Sequence, residues 1–216
     1  MWPDSTETQE LLKQAARGAP DAINQLLERH RESLRNMVRM RLDRALAQRV
    51  DASDIVQEVL FEASRRLDDY VREPSMPFHL WLRHLAKDQL IDTHRRHRVA
   101  QRRSLDREQP LATGNADRSS LDLAAQLADS ELTPAAATIR KEFETRFLQA
   151  LEQLEDEDRD IILMRHTEQL SNSEVAQALG LSQPAAGMRH LRALRKLRSI
   201  LGDPGASLPP PAAGEG

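Results

Sequence analysis

The segment from Leu170 to Leu201, LSNSEVAQALGLSQPAAGMRHLRALRKLRSIL, constrains the fold of this chain more than any other. Its apolar spacing predicts a short helix over Ser173–Leu179. Gly180 then supplies the left-handed conformation of a tight turn, and Ser182 can cap a second helix. A helix, a tight turn and a second helix make up a helix-turn-helix unit, which places its second helix in the major groove of DNA.

The predicted second helix is amphipathic, and all its charges have one sign. At 100° per residue one side holds Leu194, Leu197 and Leu201. We expect three cations to share the opposite side: Arg189, Arg192 and Lys196. From residue 183 to residue 201 there are five cations and no anions, whereas a solvated helix face usually mixes signs. These cations could simply solvate a surface helix and complement its dipole. Their uniform sign favours DNA binding.

Composition predicts an all-α protein with two small helical domains joined by a flexible linker. The 216 residues are 39% hydrophobic, 30% charged and only 3% aromatic, and they include few β-branched runs. The absence of cysteine excludes disulfides, thiolate nucleophiles and cysteine-ligated zinc. His94 and His97 have no third ligand nearby. No phosphate loop, nucleophile elbow or catalytic carboxylate pair is present, so we predict no enzyme, cofactor or metal.

Charge is segregated along the chain, although the net charge is only −3. Residues 83–103 contain seven cations and two anions, and residues 161–201 contain six cations and two anions. The stretch between these two basic blocks is acidic. This pattern predicts two contact sites on one polyanion. The chain has no run of about 18 apolar residues and no apolar leader near its start, so we expect a soluble, cytoplasmic protein.

Three amphipathic helices are predicted in the first half of the chain. The first is one long helix over Asp21–Asp51, and the second is capped by Asp51 or Ser53 and continues to about Tyr70. Pro74 and Pro77 interrupt the chain, and the third helix starts near Phe78 and runs towards residues 94–98. The predicted segments are an N-terminal extension (1–20), a first domain (21–103), a flexible linker (104–134), a helix-turn-helix domain (135–201) and a disordered tail (202–216).

Three motifs, taken in their order along the chain, resemble those of a known protein family. DIVQEVLFEASRRL (Asp54–Leu67) is followed by PFHLWLRHLAKDQLIDTHRRHR (Pro77–Arg98), then by a linker and the helix-turn-helix. The chain resembles, over residues 21–103 and 143–201, the extracytoplasmic-function (ECF) group of the sigma-70 family of bacterial RNA polymerase sigma factors. It departs from the family pattern at Ser64, where an aromatic is common, and at Gly187, where a basic residue is common.

The resemblance implies a sigma factor that binds core RNA polymerase, recognises promoters and opens DNA for transcription initiation. By position, three residues correspond to the segment that docks on the polymerase β′ clamp helices: Asp54, Gln57 and Glu58. Five correspond to the part that binds the −10 element: Trp81, Arg83, Lys87, Arg95 and Arg96. The −35 element would be read by Arg189, Arg192 and Lys196. Implied partners are core polymerase with its β flap, promoter DNA and an anti-sigma factor, with no membrane and a monomeric free state.

Some of these residues also have a purely structural interpretation. Phe78 and Trp81, three residues apart, are more typical of a helix core than of a base-stacking platform. Two other function classes also remain: a stand-alone helix-turn-helix regulator, which would need a dimer to read two half-sites, and a sigma-like decoy that binds polymerase without DNA. The molecular mass in solution, with and without core polymerase, separates the three classes.

Overall fold

The computed structural model describes residues 2–3, 5–42, 44–105, 142 and 145–202, and in these ranges it contains helices and no strands. The helices of the N-terminal unit are α1 (Ser5–Ala16), α2 (Pro20–Arg39), α3 (Arg44–Ala47), α4 (Ala52–Arg72) and α5 (Phe78–Leu105). Those of the C-terminal unit are α6 (residues 145–152), α7 (Asp156–His166), α8 (Asn172–Leu179) and α9 (Gln183–Leu201). The predicted all-α class is therefore confirmed. No described helix is both long and apolar enough to cross a bilayer.

Helices α1, α2, α4 and α5 enclose the core of the N-terminal unit. Their apolar positions recur at helical spacing, so each helix contributes one buried stripe. The most deeply buried members are Leu26, Leu34, Met37, Val38, Val56, Val59, Ala63, Leu67, Leu82 and Ala86. Phe78 and Trp81 both pack on this core, as the interpretation of that pair as core residues predicts.

The single helix predicted over Asp21–Asp51 is wrong, because α2 ends at Arg39 and Met40 caps it. The backbone N–H of Arg41 donates to the Val38 carbonyl at 3.0 Å, which forms a tighter last turn. Nη1 of Arg41 also donates to the Met37 carbonyl at 3.1 Å, satisfying a group that a helix end leaves open. The rest of this guanidinium binds carboxylates of the C-terminal unit.

The predicted start of α4 is confirmed. Asp51 lies in an extended conformation, and its side chain accepts from the Ser53 N–H at 2.7 Å. After α4, the Tyr70 hydroxyl donates to the Met76 carbonyl at 2.8 Å, which ties the loop that contains Pro74 and Pro77 back to the helix. This bond fixes the chain just before α5 begins.

Helix α1, which falls within the predicted N-terminal extension (1–20), packs on the core of the first domain. Leu11, Leu12 and Ala15 of α1 are buried in it. Helix α5 runs to Leu105, two residues into the predicted linker. The remainder of that linker, and the predicted tail after Gly202, lie outside the described residues.

Helices α6, α7, α8 and α9 form the C-terminal unit around a second core. Ile161, Ile162 and Met164 of α7 are almost fully buried there, with Val175 of α8. Leu80 belongs to this second core although it lies on α5. The two units are therefore in direct contact.

Candidate nucleic-acid and polymerase interfaces

The helix-turn-helix of the C-terminal unit forms as the sequence predicts. Ser171 and Glu174 form a reciprocal capping box at the start of α8: the Ser171 Oγ accepts from the Glu174 N–H at 3.2 Å, and Glu174 Oε2 accepts from the Ser171 N–H at 2.7 Å. Gly180 closes the helix at φ 63°, the left-handed conformation expected of it. The Ser182 Oγ then accepts from the Ala185 N–H at 3.3 Å and caps α9.

The rotation of α9 about its axis differs from the prediction. Its buried stripe is formed by Ala186, Ala193 and Leu197, whereas Leu194 and Leu201 are only partly buried. The two alanines allow α9 to lie close against α7 and α8, and this close packing sets the rotation. The outward face is formed by exposed side chains along the length of the helix: Pro184, Ala185, Met188, Leu191, Arg192, Arg195 and Ser199.

Two of the three cations predicted on this face of α9 are held in ion pairs, and their contact with DNA stays a prediction. Arg189 lies at the edge of the helix, where its Nη2 is 3.1 Å from Glu157 Oε2. Nζ of Lys196 is 2.5 Å from Asp158 Oδ2. Of these three cations, Arg192 is the one that is exposed without an acidic partner among the described residues. The acidic first turn of α7 explains the difference, because carboxylates stabilise a helix N-terminus and also attract the neighbouring cations.

The predicted docking edge on α4 is exposed at all three of its residues, Asp54, Gln57 and Glu58. Glu58 is held by α5, since Gln89 donates to it and Arg96 Nη2 is 3.4 Å from its Oε2. Sequence reasoning missed Phe61, which lies one turn further along the same edge and is 66% exposed. An exposed phenylalanine on an otherwise polar helix face was the signal that could have identified it.

The predicted −10 residues are dispersed over α5. Trp81 is half-buried, and its ring centroid is 4.8 Å from that of Tyr70. Arg95 and Arg96 are exposed near the far end of the described side chains of α5. Arg83 and Lys87 instead face the C-terminal unit. The structure therefore brings no continuous five-residue surface together here.

Arg83 is fully buried between the two units, in contrast to its predicted contact with DNA. Its Nη2 donates to Asp160 Oδ1 at 2.9 Å, and its Nε donates to Glu168 Oε2 at 3.2 Å. Arg41 binds the same two carboxylates through Nη2, at 2.6 Å from Asp160 and 2.5 Å from Glu168. Lys87 Nζ lies 3.6 Å from Asp160. We call Arg41, Arg83, Asp160 and Glu168 the inter-unit ion cluster.

The ion cluster shifts the pKa of two of its members, Asp160 and Arg41. Burial by itself would raise the pKa of Asp160, but Arg41 and Arg83 outweigh burial and lower that pKa to about 2. Burial disfavours the charged form of Arg41, yet Glu168 and Asp160 raise its pKa above the ordinary value. Asp160 and Arg41 therefore remain charged over the physiological pH range. Nη1 of Arg83 is buried without a hydrogen-bond partner, so the cluster leaves one donor unsatisfied.

Further contacts join the two units around this cluster. His79 Nε2 lies 2.9 Å from Glu174 Oε1, and the Gln177 side chain donates to the Ser75 carbonyl at 3.4 Å. Beside them a cleft of about 400 Å³ opens between α5 and the C-terminal unit. Ile91, which is 55% exposed, lies in its wall with Leu163.

Comparisons with known proteins agree with this arrangement of units. Residues 26–99 match the model of sigma-70 region 2, and residues 144–197 match that of sigma-70 region 4. Together the two matches cover more than half of the chain. The RNA polymerase sigma factor CnrH of Cupriavidus metallidurans is 29% identical over 191 residues, covering 88% of this chain and 92% of CnrH. The ECF sigma factor SigD of Mycobacterium tuberculosis is 28% identical, covering 87% of this chain and 81% of SigD.

A solved structure, that of CnrH in complex with the cytosolic domain of CnrY, superimposes with a TM-score of 0.58. It is 25% identical and covers 92% of this chain and 97% of that chain. The chain belongs to the sigma-70 family. Within that family it falls in the ECF group, and it is an RNA polymerase sigma factor that acts in transcription initiation. The N-terminal unit thus carries region 2, and the C-terminal unit carries region 4.

Proposed function

We propose that the two units of this sigma factor have the following roles. Region 2 docks on the β′ clamp helices of core polymerase through the exposed edge of α4 and holds the −10 element with α5 and the proline-bounded loop before it. Region 4 contacts the β flap and reads the −35 element with α9. In this proposal residues 21–103 and 135–201 are the two domains, and a flexible linker at 104–134 joins them.

One observation carries the assignment of α9. Its outward face holds Arg192 and Arg195, with Arg198 exposed beside them, and none of these has an acidic partner among the described residues. A helix-turn-helix that presents unpaired cations on its second helix is suited to the phosphates and base edges of a major groove. Glu157 and Asp158 neutralise two other cations of α9 and so confine the positive charge to this face.

The inter-unit ion cluster adds a condition to the −10 assignment. Arg83 can reach DNA only when the two units separate, because Asp160 and Glu168 now occupy its donors. We propose that binding to core polymerase separates the units, after which Arg83 and Lys87 become available to phosphates. Carboxylates and phosphates are both anionic acceptors that suit a guanidinium, so the same side chain can serve in both states.

A regulatory partner is also part of the proposal. CnrH was solved with the cytosolic domain of CnrY. By analogy we propose that a dedicated anti-sigma factor binds this chain, with an apolar helix face in the cleft at Ile91, which is exposed there. Exposed apolar side chains in a groove are the usual recognition points for an amphipathic helix.

Run-off transcription tests the function directly. The full chain, purified core polymerase and genomic fragments that include the region upstream of its own gene should yield discrete transcripts, and core alone should not. A chain that forms a dimer and ignores core polymerase would instead be a stand-alone regulator. A stable complex with core that starts no transcript would identify a decoy.

The docking edge is tested by reversing its charge. We expect Asp54→Arg combined with Gln57→Arg to weaken core binding by at least about 2 kcal/mol, because contacts with cations of the partner become repulsive. Asp68→Arg is the control, since it reverses another exposed carboxylate of α4 further along the helix and is charge-matched to Asp54→Arg alone. Equal core affinity for the double variant and the control would rule out this edge.

The −35 assignment is tested by comparing two arginines of α9. We expect Arg192→Ala to lower the affinity of the reconstituted holoenzyme for a −35-containing duplex by about 1–3 kcal/mol. Arg189→Ala should have a smaller effect, because Glu157 holds that side chain at the helix edge. A larger loss for Arg189→Ala would mean that α9 enters the groove by a different face.

A further inference from the structure

The outward face of α9 carries an apolar pair that the cations do not explain. Met188 is 56% exposed and Leu191 is 48% exposed, and they lie three residues apart on the N-terminal half of the helix. The other large apolar side chains that are exposed among the described residues are Phe61 and Ile91. Phe61 lies on the α4 edge, and Ile91 lies in the inter-unit cleft. Met188 and Leu191 therefore form a separate surface.

The surroundings of this pair indicate what would cover it. Toward the N-terminus the outward face continues with Pro184 and Ala185, which offer no side-chain hydrogen bond. Toward the C-terminus it continues with Arg192 and Arg195. The face thus has an apolar half at the helix N-terminus and a cationic half beyond it. The cationic half complements a polyanion, and the N-terminal half of a recognition helix is the part that meets base edges.

We propose that Met188 and Leu191 read thymine methyl groups in the −35 element. The edges that base pairs present in the major groove are polar except for the C5-methyl group of thymine, which is the feature that apolar side chains contact. The inference rests on the proposed role of α9 as the −35 reader. It adds a specificity that the arginines do not supply, namely a preference for thymine at the positions beneath this pair.

Replacement of thymine by deoxyuridine tests the proposal, because it removes the methyl group and leaves the base pair unchanged. The probe is a promoter found by run-off transcription, with each thymine of its −35 region replaced in turn, bound by holoenzyme reconstituted from the full chain. At one or two positions the wild-type affinity should fall about fourfold, the value expected for one buried methyl. In the variant Met188→Ala with Leu191→Ala the same replacement should change the affinity by less than about 1.5-fold.

Ser199→Ala is the matched control, since Ser199 lies on the same face three turns from Met188, and it should keep the full sensitivity to deoxyuridine. Circular dichroism checks that the double variant is folded. The proposal is overturned if the wild type binds thymine and deoxyuridine duplexes equally, if the double variant keeps the sensitivity, or if the variant loses core binding instead. Failure of the proposed function would look different, because the wild type would then bind no promoter duplex at all.

Discussion

His30 is a buried histidine whose surroundings keep it neutral. It is 1% exposed, its Nε2 lies 3.3 Å from the Thr8 hydroxyl, and its ring packs between Trp2 and Phe78. Burial, with help from His79 and Arg29, lowers the pKa of His30 to about 4. The protonated form is therefore disfavoured only in the folded chain.

This shift makes folding sensitive to mild acid. Because the pKa falls on folding, the unfolded chain takes up the proton first, so stability is present above pH 6.5 and is lost as the pH falls through about 4. We expect a loss of roughly 3 kcal/mol at pH 4 relative to pH 7 from this residue. Urea unfolding at a series of pH values measures it. In His30→Leu the slope between pH 6.5 and 4 should be flatter, and an unchanged slope would place the acid sensitivity elsewhere.

At the scale of single elements, α9 carries a glycine that its structure does not require. Gly187 lies inside the helix, and a Cβ added there would meet Asn172 Oδ1 at 3.8 Å, an ordinary van der Waals contact. In contrast, Gly180 has φ 63° and is needed for the turn before the helix. Gly187 therefore lowers the helical propensity of the recognition helix without a packing reason.

Gly187→Ala should stabilise the chain by about 0.5–1 kcal/mol, because alanine loses less backbone entropy in a helix. Thermal or urea unfolding monitored by circular dichroism measures the change. Gly180→Ala is the control: it should destabilise the chain, since its positive φ is strained for a side chain. If Gly187→Ala is destabilising, the neighbouring Asn172 does not accommodate the added methyl group.

At the scale of the whole molecule, buried charge decides how the two units are held together. A buried ion cluster contributes little net stability because desolvation offsets its attraction, but removing one sign from it leaves the other unpaired. Apolar contacts at Leu80 accompany the cluster. The contact between the units is therefore specific in geometry and vulnerable to the neutralisation of its two carboxylates.

Asp160→Asn combined with Glu168→Gln should open the molecule, because the Arg83 guanidinium would be left buried without a counter-charge, at a cost of about 3–5 kcal/mol. The chain has no cysteine, so dyes can be attached through Gln9→Cys and Ser199→Cys. Energy transfer between them should fall in the double variant, and core polymerase should lower it in the otherwise wild-type chain. Asp156→Asn, which changes an exposed carboxylate of α7, is the control. Unchanged transfer in the folded double variant would show that the cluster does not hold the units together.

The sequence by itself determined the elements that depend on local chemistry. The capping residues Asp51 and Ser182, the left-handed Gly180 and the motif order of the two regions were all readable, because caps and turns depend on neighbouring residues. The family followed from the same motifs. These features specify a two-unit helical sigma factor before any long-range contact is known.

Only the tertiary structure decided which polar side chains are free. Ala186 and Ala193 set the rotation of α9 by close packing, so two predicted DNA contacts became partners of the α7 carboxylates. Arg83 looked like a surface cation in the sequence, yet it is buried against residues 77 and 85 positions away. Helical periodicity reports which face is apolar, but it carries no information about which distant element supplies a counter-charge.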